Sequence, residues 1–169
     1  MNAEPGSELV DVVDEAGCTI DTVTRREMRS RRLPHRCIYI LVFNSREELF
    51  IHLRSSSKDI YPDHWDVAIG GVLLAGEGFD EGARREAQEE LGLHIGLEPL
   101  FPFRYEDPAT VVHAMVYRGR HDGPFHLQGE EIVRGEFVHL DEVPIRSKHS
   151  PFCPDGLAAL KAYRESIRK

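Results

Sequence analysis

Cysteine is scarce in this chain. Its three copies, Cys18, Cys37 and Cys153, lie far apart and form no CxxC pair. That spacing argues against a disulfide framework or a cysteine zinc site and fits a reducing, cytoplasmic setting. Long hydrophobic runs are missing too: none approaches the roughly 18 residues a membrane helix needs. The opening stretch, MNAEPGSELV, lacks the basic start and apolar centre of a secretory leader, so no membrane partner is expected. The nine histidines show neither HxxxH nor HExxH spacing, which leaves zinc hydrolysis without support. There is no internal repeat and no low-complexity linker. Positive charge is in deficit, with 21 Lys+Arg against 29 Asp+Glu and a formal net charge of −8. An acidic balance of this size argues against nucleic acid as a general partner.

What remains is globular: 169 residues, 41% hydrophobic and 30% charged, enough for one domain with a sizeable core. Residues 1–7 read as a flexible tail and residues 8–169 as a single domain. Glu8–Asp14 and Thr19–Val23 suggest a small hairpin, and Thr24–Arg32 a helix that Pro34 ends. Cys37–Phe43 is an apolar, β-branched run suited to a buried strand, with Cys37 in the core, and Leu49–Leu53 alternates into another. Asp66–Leu74 is extended and broken by Gly70-Gly71. Asp80–Leu91 is helical, with Asp80 as N-cap and Gly92 as C-terminal cap. Ala109–Tyr117, Pro124–Gln128 and Val133–Leu140 supply further strands. Asp155 would cap a closing helix whose apolar face is Leu157, Leu160, Tyr163 and Ile167. Strands alternating with two substantial helices give an α/β layered domain.

Two local charge excesses stand out. Thr24–Arg36 holds six arginines and one glutamate, net +5; the plain reading is a solvated face paired with carboxylates elsewhere. Gly71–Leu93 holds six acids against two arginines, net −4. Within it Glu86, Glu89 and Glu90 stand at i, i+3 and i+4, so their carboxylates share one helix face. Ala83, Ala87 and Leu91 form the neighbouring apolar stripe. Like charges so placed repel unless something positive arrives, and clustered oxygens without histidine or thiol suit a hard cation, Mg²⁺ or Mn²⁺. Asp80 and Glu77 flank the helix start, and Arg85 can reach back to Glu77 as a structural ion pair.

This segment, GVLLAGEGFDEGARREAQEELGL, resembles the Nudix box, G-x5-E-x7-R-E-U-x-E-E-x-G-U with U apolar. Its fixed positions here are Gly71, Glu77, Arg85, Glu86, Glu89, Glu90 and Gly92, a coincidence expected in fewer than roughly one in 10⁸ windows. The resemblance implies an α/β/α sandwich around a mixed β-sheet and metal-dependent hydrolysis of a diphosphate linked to another group. It implies Glu86 and Glu90 as ligands of Mg²⁺, Glu89 as a further ligand or the base that activates water, and Gly71 as a backbone oxygen ligand. Glu77 and Arg85 would support the box. The expected partner is a small diphosphate-containing substrate, and a homodimer is compatible with the family.

Outside the box, Leu33-Pro34-His35-Arg36, Arg54, Lys58, Pro62, Trp65 and Asp66 look like the isopentenyl-diphosphate isomerase-like branch. In its isomerases the residues matching Arg54 and Lys58 contact the substrate diphosphate, which makes both phosphate-binding candidates here. The departures carry more weight. The isomerase cysteine aligns with Gly70, a metal-binding histidine aligns with Val72, and the later strand reads Val111-Val112-His113-Ala114-Met115, without its glutamates. Isomerisation therefore lacks its acid–base pair. His35 reads as a packed histidine, Trp65 as core or rim, and Glu130-Glu131 as a solvated turn. The primary expectation is a Nudix hydrolase. The rivals are a non-catalytic nucleotide-binding regulatory module, an RNA-processing role for the arginines, and, least supported, the isomerase.

Overall fold

The computed structural model describes residues 4–169. Of the expected tail, residues 1–3 lie outside the described residues, and Pro5–Ser7 form a one-turn 3-10 helix rather than a loose end. The elements then follow as β1 (Leu9–Val13), β2 (Thr19–Thr24), α1 (Arg25–Ser30), β3 (His35–Phe43), β4 (Leu49–Arg54), β5 (Trp65–Asp66), β6 (Ile69–Val72), α2 (Phe79–Leu91), β7 (Leu97–Glu106), β8 (Val111–Arg120), β9 (Ile132–Val138), α3 (Glu142–Arg146) and α4 (Pro154–Ser166).

The organising strand is β3, because its residues are apolar on both faces. It pairs in parallel with β8 from His35–Val112 to Phe43–Arg120 and antiparallel with β6 from Cys37–Val72 to Ile40–Ile69. Cys37, Tyr39, Leu41 and Phe43 enter one core, which Ala159, Leu160 and Tyr163 of α4 close. Ile38, Ile40 and Val42 enter the opposite core, which Ala83, Ala87 and Leu91 of α2 close. A period of two in the strand meets a period near 3.6 in each helix, so helices cover both faces. The fold is an α/β/α sandwich around a mixed sheet. Each fully buried aliphatic side chain contributes about 1.5–3 kcal/mol of transfer free energy.

Several expected elements shift. Strand β7 was not foreseen: it pairs only with β8, and this edge position tolerates Pro99 and Pro102. Pro124–Gln128 is not a strand. Its backbone serves the acidic helix instead, with His126 N–H donating to the Leu91 carbonyl at 3.0 Å and Gln128 N–H to Glu90 at 3.4 Å. Gly70 and Gly71 sit inside β6 rather than breaking an extended run. Gly78, not Asp80, is the N-cap of α2, and Asp80 accepts from the Tyr117 hydroxyl at 2.6 Å. Cys153, not Asp155, caps α4, and Ile167 is 59% exposed, off its apolar face. Trp65 stacks on Phe152 at the sheet rim, with ring centroids 6.4 Å apart. His35 is buried, its Nδ1 bonded to the Leu33 carbonyl at 2.8 Å, and burial pushes its pKa down to about 4.

Candidate active site

The acidic helix ends in a Gly92 cap at φ 70°, and its glutamates divide by burial. Glu86 and Glu90, one turn apart, are 7% and 3% exposed, while the Glu89 side chain is 49% exposed. Strand β6 lies against the buried pair. A Cβ on Gly71 would come within 2.8 Å of Glu86 Oε1, so glycine is what lets that carboxylate in. Gly70 donates its N–H to Glu90 Oε2 at 3.3 Å. Its φ is 154°, and a Cβ there would meet the Ile38 carbonyl oxygen at 2.1 Å. The isomerase cysteine, which would occupy this position, does not fit this backbone.

Arg85 organises the rim. Its Nε and Nη2 bond Glu77 at 2.7 and 2.9 Å, and its Nη1 bonds Glu86 at 2.9 Å and Glu89 at 3.2 Å. A third carboxylate comes from outside the box. Glu131 lies in the expected turn but is only partly solvated: its side chain is 35% exposed, with Lys58 Nζ 3.3 Å from Oε2 and the Glu90 carboxyl close by. Only Glu130 beside it stays exposed. The adjacent Glu130-Glu131 acids were visible in the sequence, but not the turn that folds one of them onto α2.

Crowding and burial set the electrostatics. Burial, and then the charges of Glu89 and Glu131, push Glu86 up to about 7 against the opposing pull of Arg85. Burial, with Glu86 and Glu131 close by, lifts Glu90 well above the usual carboxylate range. Burial would raise Glu131 as well, but Lys58 and the hydrogen bond from Glu90 outweigh it and hold that carboxyl low. Glu90 is thus held high and Glu131 low, and a cation beside them would relieve the crowding. Among the described residues no three His, Cys, Asp or Glu side chains already converge on a single metal position. The donor chemistry fits a hard divalent ion, although the carboxylates are held around a cleft rather than pre-closed on a point.

Arg54 and Lys58 part company. The Arg54 side chain is 11% exposed and turned inward, Nη2 donating to the Ile60 carbonyl at 2.8 Å and Nε to Tyr61 at 3.3 Å, with Asp66 3.8 Å from Nη1. Part of its fork is used on its own loop, yet Arg54 still lines the recess that holds Lys58, Gly70 and Gly71. Lys58 does border the cleft, beside Glu131. Arg25 and Arg29 of α1, whose plain reading is a solvated face and whose alternative is a phosphate contact, line the same cleft.

Comparison with known proteins agrees with this geometry. The NUDIX domain family matches residues 33–156. An uncharacterized Nudix hydrolase of Pseudomonas aeruginosa is 36% identical over 165 residues, covering 97% of this chain and 98% of the relative. The Nudix hydrolase YfcD of Escherichia coli K12, also uncharacterized, is 35% identical over 164 residues, with 96% and 90% covered. Among solved structures, the crystal structure of DR0079 from Deinococcus radiodurans superposes with a TM-score of 0.82 at 26% identity, covering 92% of this chain and 98% of that one. The Nudix domain of NrtR from Shewanella oneidensis shares the fold, with a TM-score of 0.64 at 14% identity over 86% and 99% of the chains. Fold and relatives together define a hydrolase of the α/β/α class. The chain belongs to the Nudix family and is a Nudix hydrolase. Among the described residues no helix is long and apolar enough to cross a membrane.

Proposed function

We propose that residues 8–169 act as one catalytic domain that hydrolyses a phosphoanhydride bond in a small nucleoside-diphosphate-linked or other diphosphate compound, with Mg²⁺ as cofactor and Mn²⁺ as a substitute. The observation that carries this reading is the closeness of Glu86, Glu90 and Glu131, whose like charges act on one another and would be relieved by a cation. Glu86, Glu90 and the Gly71 carbonyl would hold the ion, with Glu131 as an additional carboxylate. A bound divalent ion supplies charge neutralisation at the phosphate oxygens and lowers the pKa of water. Glu89, at the cleft mouth and steadied by Arg85, is the residue assigned to accept the proton of the attacking water. Glu77 and Arg85 hold the loop before α2. Lys58 lies where a phosphate oxygen would approach.

Placement within the isopentenyl-diphosphate isomerase-like branch rests on the string from Leu33 to Arg36 and on Trp65 and Asp66; the backbone at Gly70 favours hydrolysis over isomerisation. The test is a panel of nucleoside diphosphate derivatives assayed with and without Mg²⁺. ADP-ribose belongs in it, since the NrtR domain was solved with that compound. Metal-dependent release of phosphate or a monophosphate is the expected result. Tight nucleotide binding without turnover on any compound would instead mark a regulatory module.

A further inference from the structure

The arginines of α1 face two ways. Arg26 and Arg31 are 65% and 58% exposed and pair with Glu4 and Glu27 on the surface. Arg25 and Arg29, one turn apart, are each 18% exposed and turn into the cleft. Both converge on one oxygen: Arg25 Nε and Arg29 Nε lie 3.0 and 3.2 Å from Asp59 Oδ2. An anionic oxygen taking donors from two guanidiniums is how a phosphate oxygen is held.

The location suits a substrate. Arg25, Arg29 and Asp59 line a cleft of about 690 Å³ that Lys58 and Glu131 also border. A recess of about 60 Å³ connects the two arginines to Gly70 and Gly71. Arg25 is close enough to Glu86 and Glu131 for their charges to act on it. Among the described residues the Asp59 carboxylate has no hydrogen-bond partners besides these two arginines. The backbone beyond it is fastened separately, by Arg54 on the carbonyls of Ile60 and Tyr61. A rotation of the Asp59 side chain is therefore the movement that the seat would need.

We propose that Arg25 and Arg29 form a seat for the substrate phosphoryl group farther from the carboxylate cluster, and that Asp59 is an internal plug which this phosphate displaces. The proposal rests on the hydrolase reading of the same cleft and narrows its substrate to compounds with at least two linked phosphates. Two half-buried arginines without counter-ions would repel each other; Asp59 neutralises them in the free enzyme, helped by Glu8 3.5 Å from Arg25. Every anion must then compete with the tethered carboxylate, so apparent affinity falls by the fraction of time the plug is out. A diphosphate reaching both the seat and the bound metal recovers that cost, whereas a single phosphate at the seat does not.

Inorganic pyrophosphate, titrated calorimetrically in metal-free buffer, reads the seat directly. Asp59→Asn keeps the shape and removes the charge, and it should bind pyrophosphate at least about tenfold tighter than the unmodified protein. Arg25→Gln and Arg29→Gln should each bind at least about tenfold weaker. Thermal melts of every variant guard against unfolding, and Asp59→Ser replaces Asp59→Asn if the latter does not fold. A folded Asp59 variant that binds no tighter, or arginine variants that bind equally well, would overturn the seat even if the substrate panel is hydrolysed. The expected binding pattern without any hydrolysis would overturn the hydrolase reading and leave the seat standing.

Discussion

Arg85 grips Glu77 with two N–H···O bonds, Nε to Oε1 at 2.7 Å and Nη2 to Oε2 at 2.9 Å. Glu77 also accepts the Leu74 N–H at 3.0 Å, and Arg85 Nη2 reaches the Val72 carbonyl at 3.3 Å. One guanidinium therefore closes the loop before α2, and its remaining nitrogen positions Glu86 and Glu89. Burial would raise the Glu77 carboxyl, but Arg85 and the Leu74 amide outweigh it and hold it below the usual range.

Arg85→Lys is expected to fail despite keeping the charge, because an ammonium cannot supply the planar fork. Leaving buried Glu77 half-satisfied should cost roughly 2–3 kcal/mol in urea unfolding. Activity should drop about 10–100-fold, the range for losing a partner that orients ligands. Full activity and stability in the Lys variant would show that the fork does not matter.

Glu90→Gln should separate function from stability. It removes a buried, crowded carboxylate, so the metal-free variant should melt at a higher temperature than the parent. Mn²⁺ affinity should fall by more than the 10–100-fold typical of outer partners, and activity with it. Calorimetry with Mn²⁺ and a thermal melt give both readings. A variant that binds Mn²⁺ normally would remove Glu90 from the ligand set.

Gly70→Ala tests the strand beside the cluster. With the Ile38 carbonyl oxygen 2.1 Å from the added carbon, β6 must move away from β3. The expected loss is at least about 1–3 kcal/mol for the backbone conformation alone. Circular dichroism melts would reveal it; an unchanged melting temperature would mean the strand pair is softer than its geometry implies.

A pH effect follows from the other face of the sheet. Asp66 is 7% exposed, and burial together with Asp155 raises its pKa to about 7, against the pull of Arg54. The folded state therefore binds a proton that the unfolded chain, with a carboxylate near 3.9, has released. The stability this group contributes is complete below about pH 4 and is lost as pH rises toward 7. Asp66→Asn should gain on the parent across that window and stay level above it. Melting temperatures of both proteins from pH 4 to 8 would show a flat difference if the assignment is wrong.

How much of this was legible depends on whether the cause was local. Helix α2 was readable because apolar spacing, the Gly92 cap and the box all indicate the same turn of chain. Strand β3 was readable from its unbroken apolar run. Strand β7 was hidden by alternating exposure and two prolines, which only an edge position excuses. Pro124–Gln128 alternates like a strand, but its amides are claimed by the end of α2. Glu86 and Glu90 could be paired by spacing alone. Glu131 could not, because its place beside Glu90 depends on a segment 41 residues later in the chain returning to the same helix. Arg54 showed its charge in the sequence, but not that two of its donors would also fasten the carbonyls of Ile60 and Tyr61.

The contact between residues 126–128 and the end of α2 makes chain length near Glu131 a measured quantity. Gln128 is anchored on the Glu90 carbonyl, so Glu131 has only Gly129 and Glu130 with which to reach back to the Glu90 side chain. One residue added there would swing Glu131 out of the cleft. The hairpin turn at Asp107–Thr110 is fastened as well, by Arg32 Nε on the Asp107 carbonyl at 2.9 Å and by Arg29 Nη1 on Thr110 at 3.4 Å. Across relatives, length variation should therefore avoid residues 129–130.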